Sequence, residues 1–124
     1  MTLPNSPPRK KSILITGCSS GIGLCAAQTL HQRGYRVIAG VRKASDIPRL
    51  QALGLPHVIE LDLRDSTSID NAVAAVLEIT GGELYALFNN GAYGQPGAVE
   101  DLSRDALREQ FETNLFGTHE IERL

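Results

Sequence analysis

A glycine-rich segment lies between an apolar run and an amphipathic run in the stretch ILITGCSSGIGLCAAQTL, residues 13–30. Such a segment between a strand and a helix forms either a simple tight turn or a phosphate cradle made of backbone N–H groups. Gly17 would permit the sharp turn, Gly21 the close approach of a pyrophosphate, and Gly23 the close packing of helix on strand. No Gly-Lys-Ser/Thr follows, which excludes a P-loop. The spacing therefore favours a dinucleotide-binding turn.

Short apolar runs alternate with longer amphipathic runs along the rest of the chain. The apolar runs predict strands over residues 12–16, 35–41, 57–61 and 84–88. Their residues are continuously apolar, which is typical of a parallel sheet covered on both faces by helices, with right-handed crossovers. The pattern predicts an α/β fold, a Rossmann-type doubly wound parallel sheet that is truncated after the fifth helix.

End signals and apolar spacing predict the limits and the buried faces of the helices. Ser45, Asp65 and Ser103 are candidate N-caps. Helix stops are predicted at Gly34, Gly54, Gly81 and Gly82. The side chains predicted to face inward are Ile69, Val73, Val76, Leu77, Leu107, Phe111, Leu115 and Ile121. Tyr35 is expected to pack on the strands, Tyr85 to lie in the core, and Tyr93 to lie in a loop near the cleft.

Composition indicates an ordinary globular chain, with 42% hydrophobic residues, 21% charged residues and a formal net charge of -2 over 124 residues. This balance gives no argument for nucleic acid or a membrane surface as a partner. Cys18 and Cys25 have neither metal-ligand nor CxxC spacing, so we interpret them as reduced cysteines of a cytoplasmic protein and predict no metal site. Residues 1–11, which contain three prolines and the run RKK, are interpreted as a disordered leader.

Three motifs occur in order along the chain: TGCSSGIG at residues 16–23, NNGA at 89–92 and NLFG at 114–117. Together they resemble the short-chain dehydrogenase/reductase family, and the resemblance runs from about Ser12 to the last residue. It implies that Ser19, Ser20 and Ile22 bind cofactor beside the three glycines of the turn. NNGA departs from the usual Asn-Asn-Ala-Gly, since Gly91 precedes Ala92. If the last position required a positive φ, Ala92 would be disfavoured there.

The end of the second predicted strand bears on the choice between NAD and NADP. An acidic residue at this point binds the ribose hydroxyls of NAD, whereas an arginine accommodates a 2′-phosphate. The sequence there is IAGVRK, with Arg42 and Lys43 about 25 residues after Gly17 and no carboxylate among the six. A guanidinium can bind a phosphate through two hydrogen bonds. We predict NADP(H) as the cofactor, with Arg42 more important than Lys43; the alternative is a solvated loop.

The ends of the third and fourth predicted strands carry further candidates. Asp62 could be a polar loop residue or a cap for the next helix, although Asp65 is the better cap candidate. By resemblance, Asp62 is the carboxylate that contacts the adenine amino group, with the Leu63 backbone beside it. Asn89 and Asn90 end an apolar strand, where carboxamides need hydrogen-bond partners. By resemblance, residues 89–91 (Asn89, Asn90 and Gly91) wall the adenosine ribose, and one asparagine side chain ties the sheet edge together.

Hydride transfer between a nicotinamide and a carbonyl or alcohol needs a proton donor or acceptor at the oxygen. In the family, a serine and a Tyr-x-x-x-Lys motif serve this step, supported by a helix asparagine that Asn114 matches. None of the three tyrosines here has a lysine four positions later. The chain therefore resembles the amino-terminal half of such an enzyme, with residues 12–124 as a partial NADP-binding domain, and we expect it to be inactive alone.

Three hypotheses follow for function. The first is an NADP(H)-dependent oxidoreductase of carbonyls or alcohols, represented by its cofactor-binding half. It would act on a small-molecule substrate, as a homo-oligomer, without nucleic acid or membrane. The second is a non-catalytic dinucleotide-binding or regulatory module, which the missing tyrosine and lysine favour for this polypeptide. The third is a structural fragment that associates through an apolar face.

Overall fold

Four parallel strands alternate with helices in the computed structural model, which describes residues 10–124. The strands are β1 (Ser12–Ile15), β2 (Arg36–Val41), β3 (His57–Glu60) and β4 (Ala86–Phe88). The helices are α1 (Gly21–Gln32), α2 (Ile47–Ala52), α3 (Ser66–Thr80), α4 (Arg104–Phe111) and α5 (Thr118–Ile121). Short 3₁₀ turns, Ala44–Asp46 and Val99–Asp101, come before α2 and α4, and a π-helical segment, Glu112–Gly117, joins α4 to α5.

The sheet has the strand order β3-β2-β1-β4, and every neighbouring pair is parallel. Ile13 of β1 is in register with Val37 on one side and with Ala86 on the other. The strand order reverses between β1 and β4, and ligands of such sheets bind beyond the carboxyl ends of the strands at this switch point. The predicted doubly wound α/β fold is confirmed.

Successive residues of each strand enter two different cores, one on each face of the sheet. Ile13 and Ile15 of β1 pack with Ala27 of α1 and Leu50 of α2 on one face. Leu14 is fully buried on the other face. It packs there with residues of β2, α3 and α5, of which the fully or almost fully buried ones are Ile38, Ile69, Ala72, Val76 and Ile121. This arrangement explains why β1 and β2 are continuously apolar over residues 13–15 and 37–41, since these residues are buried on both faces of the sheet, whereas Phe88 at the end of β4 is 38% exposed.

Most helix ends lie where the sequence predicts them. Gly34, Gly54 and Gly81 each adopt a positive φ just after a helix, and Gly81 is the C-cap of α3. The Asp65 carboxylate accepts a hydrogen bond from the Thr67 N–H at 3.0 Å, so Asp65 caps α3.

Of the two serines predicted to cap helices, one does so and the other does not. Ser103 caps α4 through the Ala106 N–H at 3.1 Å. The predicted cap at Ser45 is wrong: Ser45 lies inside the 3₁₀ turn, and Asp46 is the residue that precedes α2.

Several side chains predicted to be inward are exposed. Leu107 and Phe111 are 57% and 46% exposed, because no described helix or strand packs closely over α4 apart from the π-helical segment that continues it. Leu115, within that segment, is 52% exposed. Leu77 is 41% exposed although Ile69 and Val76 of the same helix are buried. Apolar spacing shows which residues share a face, and a neighbouring element decides whether that face is covered.

The start of the described chain is joined to the sheet through Lys11. Its carbonyl accepts a hydrogen bond from the Arg36 N–H at 3.0 Å. Its ammonium lies 4.6 Å from the centre of the Tyr85 ring, and this tyrosine is 61% exposed rather than in the core. Of the predicted leader, residues 1–9 lie outside the described residues.

Candidate functional site

The carboxyl ends of all four strands and one side of α4 surround a cleft of about 460 Å³. Parallel strands end at the same edge of a sheet, so segments far apart in sequence meet there. The residues that line the cleft are Gly17, Ser19, Ser20, Arg42, Leu61, Asp62, Leu63, Arg64, Gly91, Ala92, Tyr93, Glu109 and Thr113. Seven of the predicted cofactor-binding residues are among them: Gly17, Ser19, Ser20, Arg42, Asp62, Leu63 and Gly91.

The turn between β1 and α1 depends on its three glycines. Gly17 and Gly21 have φ values of +68° and +59°, a region that L side chains rarely adopt. A Cβ on Gly17 would lie 2.8 Å from the Cα of Gly91, and a Cβ on Gly23 would overlap the Gly17 carbonyl oxygen. The turn thus brings backbone against backbone at the cleft. The positive φ of Gly17 agrees with the sharp turn predicted there, and the contacts at Gly23 agree with the close packing predicted for this glycine.

The N-terminus of α1 has no side-chain cap. Ser20 is in the N-cap position with an extended backbone, but its side chain makes no capping hydrogen bond, and the first turn contains no acidic residue. The first N–H groups of a helix have no acceptor within the helix and carry a partial positive charge. Because Ser20 lines the cleft, this helix end offers donors for an anion in the cleft.

Cys18, within the glycine turn, faces the protein interior. Its thiol donates a hydrogen bond to the Ile15 carbonyl at 3.1 Å, and its own N–H donates to Gly40 at 2.9 Å. Burial raises the pKa of the Cys18 thiol to about 12. The backbone N–H of Cys18 therefore joins the turn to β2, and its buried side chain remains a neutral thiol.

Arg42 and Lys43 differ in their relation to the cleft. Arg42, directly after β2, is an exposed residue of the cleft lining. Among residues 10–124, no hydrogen bond or ion pair engages its guanidinium group. Lys43 is exposed and does not line the cleft. Arg42 therefore lines the cleft, and its guanidinium donors have no partner within residues 10–124.

Asp62, after β3, forms a two-point ion pair with Arg64, a residue that the sequence reasoning missed. The Arg64 Nε and Nη2 atoms donate to the two carboxylate oxygens of Asp62 at 3.2 and 3.1 Å, and the Arg64 N–H donates at 3.0 Å. These bonds hold the pKa of Asp62 below its ordinary value, and they raise the pKa of Arg64. The sequence contained a signal for this ion pair, because in LDLRD the arginine lies two positions after the aspartate.

The segment after β4 is fixed to the glycine turn by Asn90 and Thr16. The Asn90 amide donates to the carbonyls of Thr16 and Gly17 at 3.2 and 3.1 Å, and the Gly91 N–H donates to the Thr16 hydroxyl at 2.7 Å. Asn90 thus ties the sheet edge together. Ala92 is tolerated because no described non-glycine residue has a positive φ.

The side chain of Asn89 is bound to the end of α5 and is not part of the cleft lining. Its amide donates to the carboxylate of Glu122 at 3.0 Å, beyond the end of α5, and it does not line the cleft. Gly21, Ile22 and Gly23 are also outside the lining; Ile22 is 74% exposed on α1.

Asn114 lies in the π-helical segment and pairs with the backbone of Tyr93. Its oxygen accepts the Tyr93 N–H at 3.0 Å, and its amide donates to the Tyr93 carbonyl at 2.7 Å. Tyr93 and Thr113 line the cleft, so Asn114 connects the helix with the cleft wall. π-Helical turns are often found at functional sites.

Arg49 of α2 is a second residue that the sequence reasoning missed. Its guanidinium donates to the Ser19 carbonyl at 2.7 Å and pairs with Asp46 at 3.4 Å. Ser19 belongs to the glycine turn, so α2 supports the turn from outside the cleft. Arginine is common in helices, and no local sequence signal distinguishes Arg49 from the others.

The described residues contain neither a candidate metal cluster nor a helix that could span a membrane. Within residues 10–124, no group of three or more His, Cys, Asp or Glu side chains could hold a metal ion. None of the described helices has the length and apolarity to cross a membrane.

Comparison with known proteins agrees with this geometry. The family model described as short chain dehydrogenase matches residues 11–124. The chain belongs to the short chain dehydrogenase family.

Its curated relatives include an uncharacterized oxidoreductase, YbbO, of Escherichia coli K12, which is 42% identical over 112 residues. An NADPH-dependent 1-acyldihydroxyacetone phosphate reductase of Schizosaccharomyces pombe is 32% identical over 109 residues. These alignments cover 90% and 87% of this chain, but 41% and 36% of the relatives, so the chain spans about two-fifths of their length.

Solved structures show the same fold. A short-chain dehydrogenase from Streptomyces avermitilis has a TM-score of 0.85 at 33% identity, covering 94% of this chain and 43% of that one. An F189W actinorhodin polyketide ketoreductase with NADPH has a TM-score of 0.81 at 30% identity, covering 92% of this chain and 45% of that one. The resemblance predicted from the three motifs is confirmed.

Proposed function

We propose that this chain binds NADP(H) in the cleft and is the cofactor-binding part of an oxidoreductase that interconverts carbonyls and alcohols. The observation that carries the proposal is Arg42, whose guanidinium lines the cleft without a described partner. A planar guanidinium without a competing carboxylate suits a 2′-phosphate. Two similar proteins also support it by their names, an NADPH-dependent reductase and a ketoreductase with NADPH.

The residues present fit a dinucleotide. At Gly17 and Gly91 a Cβ would meet neighbouring protein atoms, so the glycine backbone itself forms this part of the cleft wall. The uncapped start of α1 offers N–H donors for the pyrophosphate. Asp62 and the Leu63 backbone would contact the adenine, and Gly91 the adjoining ribose. When bound, the nicotinamide supplies or accepts a hydride.

Asn114 remains our candidate for supporting the proton relay of the whole enzyme. Its pairing with Tyr93 fixes the π-helical segment beside the cleft, which supports a positioning role. The chain contains no Tyr-x-x-x-Lys motif, so we expect these 124 residues to bind cofactor without transferring hydride. The small-molecule substrate, the homo-oligomer and the cytoplasmic location remain predictions about the protein.

Titration of the chain with NADPH and NADH tests the proposal. We expect tighter binding of NADPH, and we expect Arg42→Ala to weaken NADPH binding by about tenfold while changing NADH binding little, because a charged hydrogen bond contributes about 1.5–3 kcal/mol. Arg33→Ala is the matched control, since Arg33 follows the far end of α1 and is outside the cleft lining.

Equal affinity for the two cofactors would overturn the NADP assignment. Binding of neither would overturn the cofactor-site proposal and favour a structural role. Binding accompanied by carbonyl reduction would contradict the expected inactivity of the chain, whereas binding without reduction agrees also with a regulatory module.

A further inference from the structure

Four charged side chains line the cleft, two arginines and two carboxylates. They are Arg42, Asp62, Arg64 and Glu109. Arg64 is bound to both carboxylate oxygens of Asp62, and its remaining Nη1 lies 4.0 Å from Glu109. Arg64 therefore faces both negative charges of the cleft, and Arg42 faces neither at ion-pair distance. Both carboxylates of the cleft therefore lie beside Arg64, and neither is paired with Arg42.

Arg42 and Asp62 nevertheless interact through space. The charge of Arg42 is one of the smaller causes that lower the pKa of Asp62, after the hydrogen bonds from Arg64. If Arg64 did not hold Asp62, Arg42 would be the remaining guanidinium of the cleft lining available to this carboxylate. An Arg42–Asp62 pair would occupy the donors needed by a phosphate and would place a negative charge beside it.

We propose that Arg64 is a specificity-determining residue: by holding Asp62 in a two-point ion pair, it leaves Arg42 free to select adenosine that carries a 2′-phosphate. This inference rests on the proposed NADP function of the same cleft. Arg64 acts through Asp62 and Arg42, so it is a positioning residue for the phosphate site. Its effect is on the ratio of affinities for phosphorylated and unphosphorylated adenosine, rather than on the affinity for adenosine itself.

The test uses the two adenosine halves of the cofactors, adenosine 2′,5′-bisphosphate and adenosine 5′-monophosphate, titrated calorimetrically into the chain and its variants. We expect Arg64→Gln to lower the ratio of the two affinities by about three- to fivefold, the range of a partly exposed ion pair. Arg64→Lys should keep most of the ratio because it retains the charge. Arg33→Gln, far from the cleft, is the matched control and should leave the ratio unchanged.

The double variant Asp62→Asn/Arg64→Gln distinguishes this role from a merely structural one. With the Asp62 carboxylate removed, that group no longer competes with the phosphate for Arg42, so we expect the ratio to return to within about twofold of that of the unsubstituted chain. A structural role of Arg64 would leave the double variant as impaired as Arg64→Gln. Thermal melting checks folding, and Arg64→Met is the replacement if Arg64→Gln does not fold.

The outcomes separate the inference from the function on which it rests. If the unsubstituted chain does not prefer the bisphosphate, the proposed NADP function fails, and this inference fails with it. If the chain prefers the bisphosphate but Arg64→Gln retains the full ratio, or if the double variant does not restore it, the inference alone is overturned. A lowered ratio in Arg64→Gln with restoration in the double variant supports it.

Discussion

At the scale of single residues, the glycine turn is constrained by contacts that a side chain would break. A Cβ on Gly23 would overlap the Gly17 carbonyl and lie 2.6 Å from the Asn90 amide nitrogen. Both groups belong to the hydrogen-bonded junction between the turn and the end of β4. The glycine is therefore needed for packing, not for an unusual φ, since its φ is not among the positive ones.

We predict that Gly23→Ala destabilises the chain and weakens cofactor binding. Overpacking of this kind costs about 1–3 kcal/mol in the free energy of unfolding, and displacement of Gly17 would shift the cleft wall. Urea denaturation and NADPH titration measure the two effects. Gly94→Ala is the control, because a Cβ on Gly94 meets nothing within 4 Å and its φ is not positive. Equal stability of the two variants would contradict the packing argument.

At the scale of elements, the π-helical segment connects α4 and α5 to the cleft at two points. Asn114 binds both backbone groups of Tyr93, and a Cβ on Gly117 would overlap the Leu63 carbonyl. The segment thus touches the chain after β3 and the chain after β4. The motif NLFG contains both contact residues, which gives a physical reason for its asparagine and its glycine.

Asn114→Ala should release the loop after β4 without unfolding the helices. It leaves a half-buried N–H and carbonyl of Tyr93 unpaired, which costs about 1–3 kcal/mol. Hydrogen exchange of the Tyr93 amide is expected to accelerate, while exchange in α1 and α3 stays the same. Asn71→Ala, at an exposed position of α3, is the matched control. Unchanged exchange at Tyr93 in Asn114→Ala would show that the pairing does not hold this loop.

At the scale of the whole molecule, the two faces of the sheet are covered, but the outer side of α4 is not. α4 contains no buried residue, and Leu107 and Phe111 line an open groove of about 490 Å³ with Phe116. Ile121, ten residues after Phe111 on the same helical run, is fully buried in the core beside Leu14. The stability of the chain should therefore depend on one end of this run and not on the other.

Phe111→Ala should change the free energy of unfolding by less than about 1 kcal/mol, because its side chain is 46% exposed. Ile121→Ala should lower it by about 2–5 kcal/mol, as for other fully buried aliphatic side chains. Urea denaturation at two protein concentrations measures both variants. A large, concentration-dependent loss in Phe111→Ala would instead indicate that copies of the chain bury this face against each other.

Much of the fold and part of the site could be predicted from sequence, since the signals are local. Continuous apolar strands, caps such as Ser103 and stops such as Gly34 depend on a few neighbouring residues. The meeting of the strand ends at the cleft could also be predicted, because parallel strands end at the same edge of a sheet. Arg49 could not be predicted, because its bond to Ser19 joins residues that lie thirty positions apart in the chain.

The sequence by itself determined the doubly wound sheet, the glycine turn and the identity of Arg42 as the cation after β2, because periodicity and backbone freedom are properties of short segments. Only the tertiary structure decided which charges meet and which faces are covered. In the described part of the chain, Asp62 pairs with Arg64, Arg42 has no hydrogen bond or ion pair, and Leu107 is exposed. Such pairings depend on distances between segments, which no local pattern contains.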